Sequence, residues 1–442
     1  MRGVRAILVF LCTVTFAFSQ SGFILPDKVF DDKVPFKLVN NLVVVDVEVN
    51  GTDLSFILDT GVKTTILFGL AQQDTVEVRD VEPIRLRGLG QGGSVEALKS
   101  RNNRVRVGEA FDINHTIYVV FDESLNFSPR MGIPIHGVIG HDFFKNFVVK
   151  TNYTSKRITF YNPVHYTYKS CRSCEDFELT LKKGKPYVDF QVSSQGEQIP
   201  VTLLVDSGSS DALWLFDEQT TIVEAPKNYF PDFLGLGLSG NIYGKRSRLD
   251  RLQIGDYMLD GVNVAFPEKE SLANMEMYEK RDGSVGGGVL KRFTVIIDYP
   301  HGRMRLKRNG NFNAPFYYNM SGITVEHDGV VVVEDKNKTL NTPLSFDTRD
   351  VNKFAAEIIK KSAAYKLAPK MMVADVREGS PAALVGIQKG DEIKMVNGKP
   401  AHFFDIYQLV ELFQSKEGRR IFLQLERNGQ AFKRNFVLKK VI

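Results

Sequence analysis

Cysteine and histidine are scarce in this sequence. Its 442 residues include 3 cysteines and 7 histidines, and these do not group at the spacings that bind zinc. We therefore expect no metal or cofactor, and no Cys-His or Ser-His-Asp catalytic site. Cys171 and Cys174 form an isolated CxxC pair. A local disulfide is expected there; the alternative, a redox site, would need a following helix where the sequence alternates like a strand.

The sequence also lacks an excess of one charge and a long apolar run in the body of the chain. Lys and Arg number 57 against 52 Asp and Glu, and the net charge of +5 is scattered rather than gathered into a basic stripe. A nucleic-acid partner is therefore not expected. No stretch after the N-terminus is long and apolar enough to span a bilayer, so we expect no membrane span in the mature chain.

The N-terminal residues are typical of an export signal. Arg2 and Arg5 precede an apolar stretch, residues 6–18, and Ala17-Phe18-Ser19 is a small-x-small cleavage site. We expect residues 1–19 to be a cleaved signal peptide and the mature protein to be periplasmic or secreted. The alternative is an uncleaved segment that anchors the protein to the membrane.

Two related stretches run from a strand into an acidic residue. Residues 55–61 end in Asp59-Thr60-Gly61, and residues 203–208 end in Asp206-Ser207-Gly208. A single triplet of this kind would be an ordinary turn. Both copies, however, follow an apolar strand pattern, and both precede small or hydroxyl residues and a further apolar run. In the first copy, Asn50-Gly51 predicts a tight hairpin turn that leads into this strand.

The similarity of the two stretches extends far beyond the triplets. Asp206 follows Asp59 by 147 residues, and the same shift aligns Gly88-Leu89-Gly90 with Gly235-Leu236-Gly237. With one residue deleted, the register continues to the end of each copy. The chain therefore contains two tandem copies of one domain. One Asp per copy indicates that the two carboxylates pair across a pseudo-two-fold axis.

These motifs resemble the aspartic peptidases of pepsin and retropepsin type. Each copy has the apolar-apolar-Asp-Thr/Ser-Gly motif and, further along, an apolar-apolar-Gly element that ends at Gly140 or Gly286. The resemblance implies a mostly β fold, with two tandem retropepsin-like acid-protease β-barrel lobes related by pseudo-two-fold symmetry. We expect the first lobe at residues 30–165 and the second at residues 175–309.

The resemblance also implies how the site works. Asp59 and Asp206 would share a proton and activate a water that attacks a peptide carbonyl, without a metal or a covalent intermediate. After the triplets the copies differ, with Val62-Lys63 in the first and Ser209-Ser210 in the second, and we expect this to affect which Asp is protonated. The residues expected to support the dyad, by linking the two loops and bringing backbone N–H groups to the carboxylates, are Thr60, Gly61, Ser207 and Gly208.

Each copy has a glycine-rich segment after its Asp motif, at residues 88–93 and 235–240. Alternating residues flank both segments, which predicts hairpin tips rather than phosphate-binding loops. In the family these would be flaps that fold over a bound peptide, and glycine would let the backbone come close to it. The flap glycines are Gly88, Gly90, Gly92, Gly93, Gly235, Gly237 and Gly240.

Residues 311–442 resemble a bacterial PDZ domain, which has an α+β fold. The resemblance lies in Gly379-Ser380-Pro381-Ala382-Ala383, followed by Gly386-Ile387 and residues 389–400. This run predicts a short helix that begins at a proline, a strand and an Asn-Gly turn. A helical pattern around residues 345–368 predicts an insertion within the domain.

PDZ domains bind extended peptides, often protein C-termini, beside an edge strand. The resemblance implies that the backbone N–H groups of Ser321, Gly322 and Ile323 bind the terminal carboxylate. The alternative is a degenerate domain that only packs against the catalytic body.

The sequence as a whole predicts a secreted or periplasmic aspartic endopeptidase that acts on polypeptides, with a PDZ domain that recruits or positions them. The rival reading is a non-catalytic peptide-binding or scaffold protein built from the same domains. Two intact triplets favour the enzyme, because a binding module does not need an Asp at two equivalent positions.

Overall fold

The computed structural model describes residues 22–70, 75–216, 225–273, 278–339 and 363–442. The predicted signal peptide lies outside these residues. So does most of the predicted helical insertion around residues 345–368, and where the described chain resumes, at Ala363, it forms a strand. No helix in the described ranges is long and apolar enough to cross a membrane.

The first copy is built of strands joined by tight turns and short helices. Alternate valines from Val43 to Val49 are buried, and Asn50 and Gly51 both have positive φ, so the predicted hairpin turn is confirmed. The strands are β1 (Asp31–Pro35), β2 (Lys37–Val39), β3 (Leu42–Val49), β4 (Thr52–Leu58), β5 (Thr65–Leu67), β6 (Val81–Leu86), β7 (Val95–Val107), β8 (Ala110–Val120), β9 (Gly137–Ile139), β10 (Val148–Asn152) and β11 (Arg157–Tyr161); the α-helices are α1 (Ser128–Met131) and α2 (His141–Phe144).

The second copy repeats this arrangement. Its strands are β12 (Cys174–Glu178), β13 (Thr180–Lys182), β14 (Lys185–Ser194), β15 (Glu197–Asp206), β16 (Leu213–Leu215), β17 (Phe230–Gly237), β18 (Gly240–Ile254), β19 (Tyr257–Pro267), β20 (Gly283–Gly286), β21 (Phe293–Asp298) and β22 (Arg303–Arg308); its α-helices are α3 (Lys269–Leu272) and α4 (Gly287–Leu290). The eight-stranded sheet of the first copy has the order β2-β3-β4-β9-β5-β8-β7-β6. The second has β13-β14-β15-β20-β16-β19-β18-β17, the same order strand for strand. The predicted fold of two equivalent β lobes is therefore confirmed.

A six-stranded sheet joins the two lobes. Its order is β1-β11-β10-β21-β22-β12, so each lobe supplies half of it. The equivalent strands β10 and β21 pair antiparallel at its centre, where the pseudo-two-fold axis passes. A disulfide between Cys171 and Cys174 lies at the start of β12, where the second copy begins. One hydrophobic core continues through both lobes, from Phe160 to Phe293, so the two Asp motifs belong to a single packed body.

The C-terminal domain has its own sheet. Its strands are β23 (Ile323–Thr339), β24 (Ala363–Val376), β25 (Glu392–Val396), β26 (Lys399–Pro400), β27 (Arg420–Arg427) and β28 (Gln430–Val437), with the helices α5 (Pro381–Leu384) and α6 (Ile406–Phe413). The order is β23-β24-β25-β27-β28, which leaves β23 at the edge. Helix α5 begins at Pro381 as predicted, and the side chain of Ser380 caps it. The core of this domain includes Phe230 from β17 of the second lobe.

Candidate active site

Two equivalent strands bring Asp59 and Asp206 to the interface between the lobes. Strand β4 ends at Leu58, just before Asp59, and β15 ends at Asp206 itself. Each is held by the parallel strand that carries the apolar-Gly element: the N–H of Asp59 donates to the carbonyl of Ile139 at 2.9 Å, and Asp206 pairs with Gly286. The two sequence motifs that carried the resemblance are therefore adjacent in each lobe.

The hydroxyls of Thr60 and Ser207 link the two loops reciprocally. The N–H of Thr60 donates to Ser207 Oγ and the N–H of Ser207 donates to Thr60 Oγ1, both at 3.0 Å. Each hydroxyl then donates into the opposite lobe, Thr60 to the carbonyl of Val205 at 2.6 Å and Ser207 to that of Leu58 at 2.7 Å. Both side chains are buried, so these bonds fix the two Asp loops against each other.

The glycines of the triplets let the carboxyl groups approach closely. The N–H of Gly61 donates to Asp59 Oδ1 at 2.7 Å, and that of Gly208 donates to Asp206 Oδ1 at 3.1 Å. A Cβ atom at Gly61 would lie 2.9 Å from Asp206 Oδ1, and one at Gly208 would overlap the carboxyl of Asp59. Any side chain at these positions would therefore push the two carboxyl groups apart.

The environment of the pair favours a shared proton. Burial in the interface, with a contribution from the charge of Asp206, raises the pKa of Asp59 to about 7. Burial also raises the pKa of Asp206, but the charges of Arg281 and Lys185 and the N–H of Gly208 act in the opposite direction. Both buried carboxyls therefore have a raised pKa, and the charge of Arg281 opposes the rise at Asp206.

Sequence analysis missed Arg281. Its side chain is only 4 % exposed, its Nε donates to the carbonyl of Gly283 at 3.0 Å, and its guanidinium lies over the ring of Phe216. The register of the repeat aligns Arg281 with Ile135, a fully buried apolar residue of the first lobe. A comparison of the two copies for changes from apolar to charged residues near the motifs could have found it.

The two glycine-rich segments are hairpin tips, and they meet each other. The tip between β6 and β7 lies against the tip between β17 and β18: the N–H of Ser239 donates to the carbonyl of Leu89 at 2.8 Å, and that of Gly92 to the carbonyl of Ser239 at 2.6 Å. A Cβ atom at Gly88, Gly90, Gly92 or Gly237 would collide with the opposite tip. Glycine at these positions thus serves the contact between the flaps. Gly93, Gly235 and Gly240 make no such close approach.

The loop predicted to bind a carboxylate is closed on itself. The side-chain oxygen of Asn319 accepts from the N–H of Ser321 at 3.0 Å and from that of Gly322 at 3.1 Å. The hydroxyl of Ser321 accepts from the N–H of Ile323, also at 3.0 Å. All three predicted donors therefore already have acceptors within the loop.

Comparison with known proteins gives matches in two parts of the chain. A family model described as aspartyl protease matches residues 45–143, and one described as PDZ domain matches residues 372–427. Among solved structures, the chain is similar to the aspartic proteinase from Irpex lacteus, with 15 % sequence identity and a TM-score of 0.39; the similarity covers 64 % of this chain and 98 % of that chain.

Proposed function

We propose, for a chain that carries an aspartyl protease domain and a PDZ domain, that Asp59 and Asp206 together hydrolyse peptide bonds within polypeptides. The observation that supports this most is the pair of carboxyl groups held side by side between the lobes, with the pKa of Asp59 raised to about 7. Two buried hydroxyls that each bond into the opposite lobe fix this pair. A peptide-binding scaffold would have no use for such an arrangement.

In the proposed mechanism the two carboxyls have different roles. Asp206, ionised, takes a proton from a water held between them, and that water attacks the carbonyl carbon of the scissile bond. Asp59, protonated, donates a hydrogen bond to the oxygen as it gains negative charge. The proton gained by Asp206 then passes to the leaving nitrogen as the C–N bond breaks. Asp206 is again ionised and Asp59 still carries its proton, as at the start. Glycine at 61 and 208 lets the two carboxyl groups lie close enough to hold the same water.

We propose further that the PDZ domain recruits or positions the polypeptide and that the protein is exported. Export is supported by the charged and apolar pattern of residues 1–19 and by the disulfide between Cys171 and Cys174, a bond typical of oxidising compartments. The mass of the protein recovered from the periplasm or medium tests this. A chain that begins at Gln20 supports a cleaved signal, and a chain retained in the membrane supports the anchor.

The test of the proposed activity is cleavage of a mixed peptide library between acidic and neutral pH. Asp59→Asn and Asp206→Asn should each abolish cleavage while the protein remains folded. Asp53→Asn is the matched control, because Asp53 is exposed on strand β4, which leads to Asp59. Cleavage that persists in either Asn variant rules out the dyad mechanism. No cleavage by the unmodified protein, together with retained peptide binding, would favour the scaffold alternative.

A further inference from the structure

The groove in which the PDZ domain would bind a peptide is covered by the first lobe. A peptide that adds to this sheet must lie along the edge strand β23, beside α6. Helix α1 lies against both: a Cβ atom at Gly132, at its C-terminal end, would lie 3.1 Å from Ile406 Cβ at the start of α6. Arg130 of α1 forms an ion pair with Glu326 of β23 at 3.4 Å. The segment Ser128–Met131 and Gly132 thus takes the place beside β23 that a peptide would need.

The carboxylate end of the same groove is also filled. The side-chain oxygen of Asn319 accepts from Ser321 and Gly322, as a ligand carboxylate would. Beneath the loop lies Arg377, which is 9 % exposed; its N–H donates to the carbonyl of Gly322 at 2.8 Å and its Nη1 to that of Asn319 at 3.1 Å. Its Nη2 is buried and has no hydrogen-bond partner in the described part of the chain. This Nη2, together with the N–H groups of Ser321 and Gly322 that Asn319 now occupies, fits an anionic oxygen ligand.

The segment that links the second lobe to the C-terminal domain is hydrogen-bonded to that lobe. The guanidinium of Arg292 donates to the carbonyls of Phe312 and Ala314, that of Arg248 donates to the carbonyl of Phe316 at 3.0 Å, and Asn263 donates to that of Tyr317 at 2.8 Å. The linker that precedes β23 therefore follows the surface of the body.

The covered groove is connected to the second flap through β17, the outer strand of that flap. Phe230 at its start lies in the core of the PDZ domain, under the guanidinium of Arg377 at 4.1 Å. Phe233 packs against the guanidinium of Arg130 at 4.7 Å. Asp232, between them, pairs with Arg246 at 2.7 Å.

The same strand is connected to the loop that carries Asp206. Arg246, which holds Asp232, also pairs with Asp211 at 2.6 Å, and Asp211 follows the second triplet closely in the chain. A cavity of about 570 Å³ opens beside the Arg130–Glu326 pair and extends to Leu236 of the flap. A movement of α1 away from β23 would therefore remove the contact of Phe233 with Arg130 and loosen the flap.

We propose that α1 is an internal competitor for the PDZ groove, and that a polypeptide with a free C-terminal carboxylate binds the groove by displacing α1 and Asn319. Binding then loosens the second flap and opens the cleft to the chain that has been captured. The opening of the cleft rests on the proposed peptidase function, whereas the competition between α1 and a peptide does not.

The test measures binding in the Asp206→Asn background, so that it does not depend on proteolysis. The probe is a fluorescein-labelled pool of random decapeptides with free C-terminal carboxylates, and a control pool has C-terminal amides. Arg130→Glu and Glu326→Arg each place like charges across the contact. Each should tighten binding of the carboxylate pool about fivefold, because a larger fraction of the protein is open. The combined variant restores an ion pair of reversed polarity and should return the affinity to its original value.

Three results would overturn the competition between α1 and peptide: equal affinity of all four proteins, no binding by any of them, or an equal gain with the amide pool. The same single variants with Asp206 intact should cleave both an unfolded protein substrate and a short blocked peptide faster, because release of Arg130 from Phe233 loosens the flap even when no chain is bound in the groove. Tightened binding without any proteolysis would leave the competition standing and would refute the proposed enzyme instead.

Discussion

The two lobes have the same strand order but place different charges beside their carboxyls. The charge of Arg281 lowers the pKa of Asp206, and the register of the repeat aligns Arg281 with the apolar Ile135 in the first lobe. Lys185, which aligns with Leu38, lowers the pKa of both carboxyls. Such a difference biases the position of a shared proton, because two identical surroundings would leave the proton equally placed on either carboxyl. The repeated motifs therefore specify the scaffold of the site, whereas residues outside the motifs influence how the shared proton is distributed between the two carboxyls.

The hydrogen bonds of Thr60 and Ser207 link the two lobes reciprocally, so the loss of either hydroxyl should lower the stability by a similar amount. Thr60→Val and Ser207→Ala each remove two hydrogen bonds and leave a buried N–H without an acceptor, so each should cost about 2 kcal/mol or more in the free energy of unfolding. Urea unfolding monitored by fluorescence measures this. Exchanging the residues between the copies, as Thr60→Ser with Ser207→Thr, keeps both hydroxyls and is the control. Strongly unequal losses would contradict a reciprocal link.

The charge of Arg281 should break the symmetry of the dyad. Arg281→Met removes a cation that lowers the pKa of Asp206, so that pKa should rise and the acidic limb of the kcat/KM profile should move to higher pH. Arg281→Lys keeps the charge and should largely restore the profile. Ile135→Val, at the aligned position of the first lobe, should leave it in place. An unmoved acidic limb in the Met variant would mean that Arg281 is only structural.

The raised pKa of Asp59 gives the protein a pH dependence. Under the proposed mechanism, activity should fall as the pH rises through about 7, because Asp59 then loses the proton with which it would hydrogen-bond to the developing oxyanion. A pKa above the usual 3.8 also means that Asp59 contributes stability below pH 3.8 that is lost as the pH rises towards 7.

Thermal unfolding can check the stability effect separately from activity. Asp59→Asn cannot ionise, so its Tm should rise relative to that of the unmodified protein between pH 4 and pH 8. Asp53→Asn, at an exposed position on the strand that leads to Asp59, is the control for the loss of one acidic side chain. If the Tm difference between Asp59→Asn and the unmodified protein does not increase from pH 4 to pH 8, the pKa of Asp59 is not raised.

The sequence predicted the features that leave a local or repeated pattern. The two Asp triplets and the run from Gly379 to Pro400 are short local patterns, and the repeat is a constant spacing between two similar stretches. Each can be recognised without knowledge of contacts between distant residues. The two lobes with the same strand order and the short helix at Pro381 then followed. Strand alternation and turn residues were enough for these because they are local properties of the chain.

What the sequence did not reveal depends on contacts between distant residues. Arg130 and Glu326 are 196 positions apart, and nothing near either residue predicts that they meet. The flap glycines were expected to approach a substrate, yet several of them approach the other flap. Asn319 closes the loop in front of Ser321 through a side chain that the PDZ resemblance did not include. Such contacts have no periodicity in the sequence.

The smallest effect is expected at the join between the lobes, where the copies have no equivalent residues to compare. The disulfide between Cys171 and Cys174 closes a loop of very few residues, so its removal should cost at most about 2 kcal/mol. Cys171→Ser with Cys174→Ser should therefore lower Tm by only a few degrees. Peptide cleavage at 25 °C should be unchanged, because β12, which follows, lies at the far edge of the joining sheet from the first lobe. Loss of cleavage in a folded double variant would instead revive the redox interpretation of this pair.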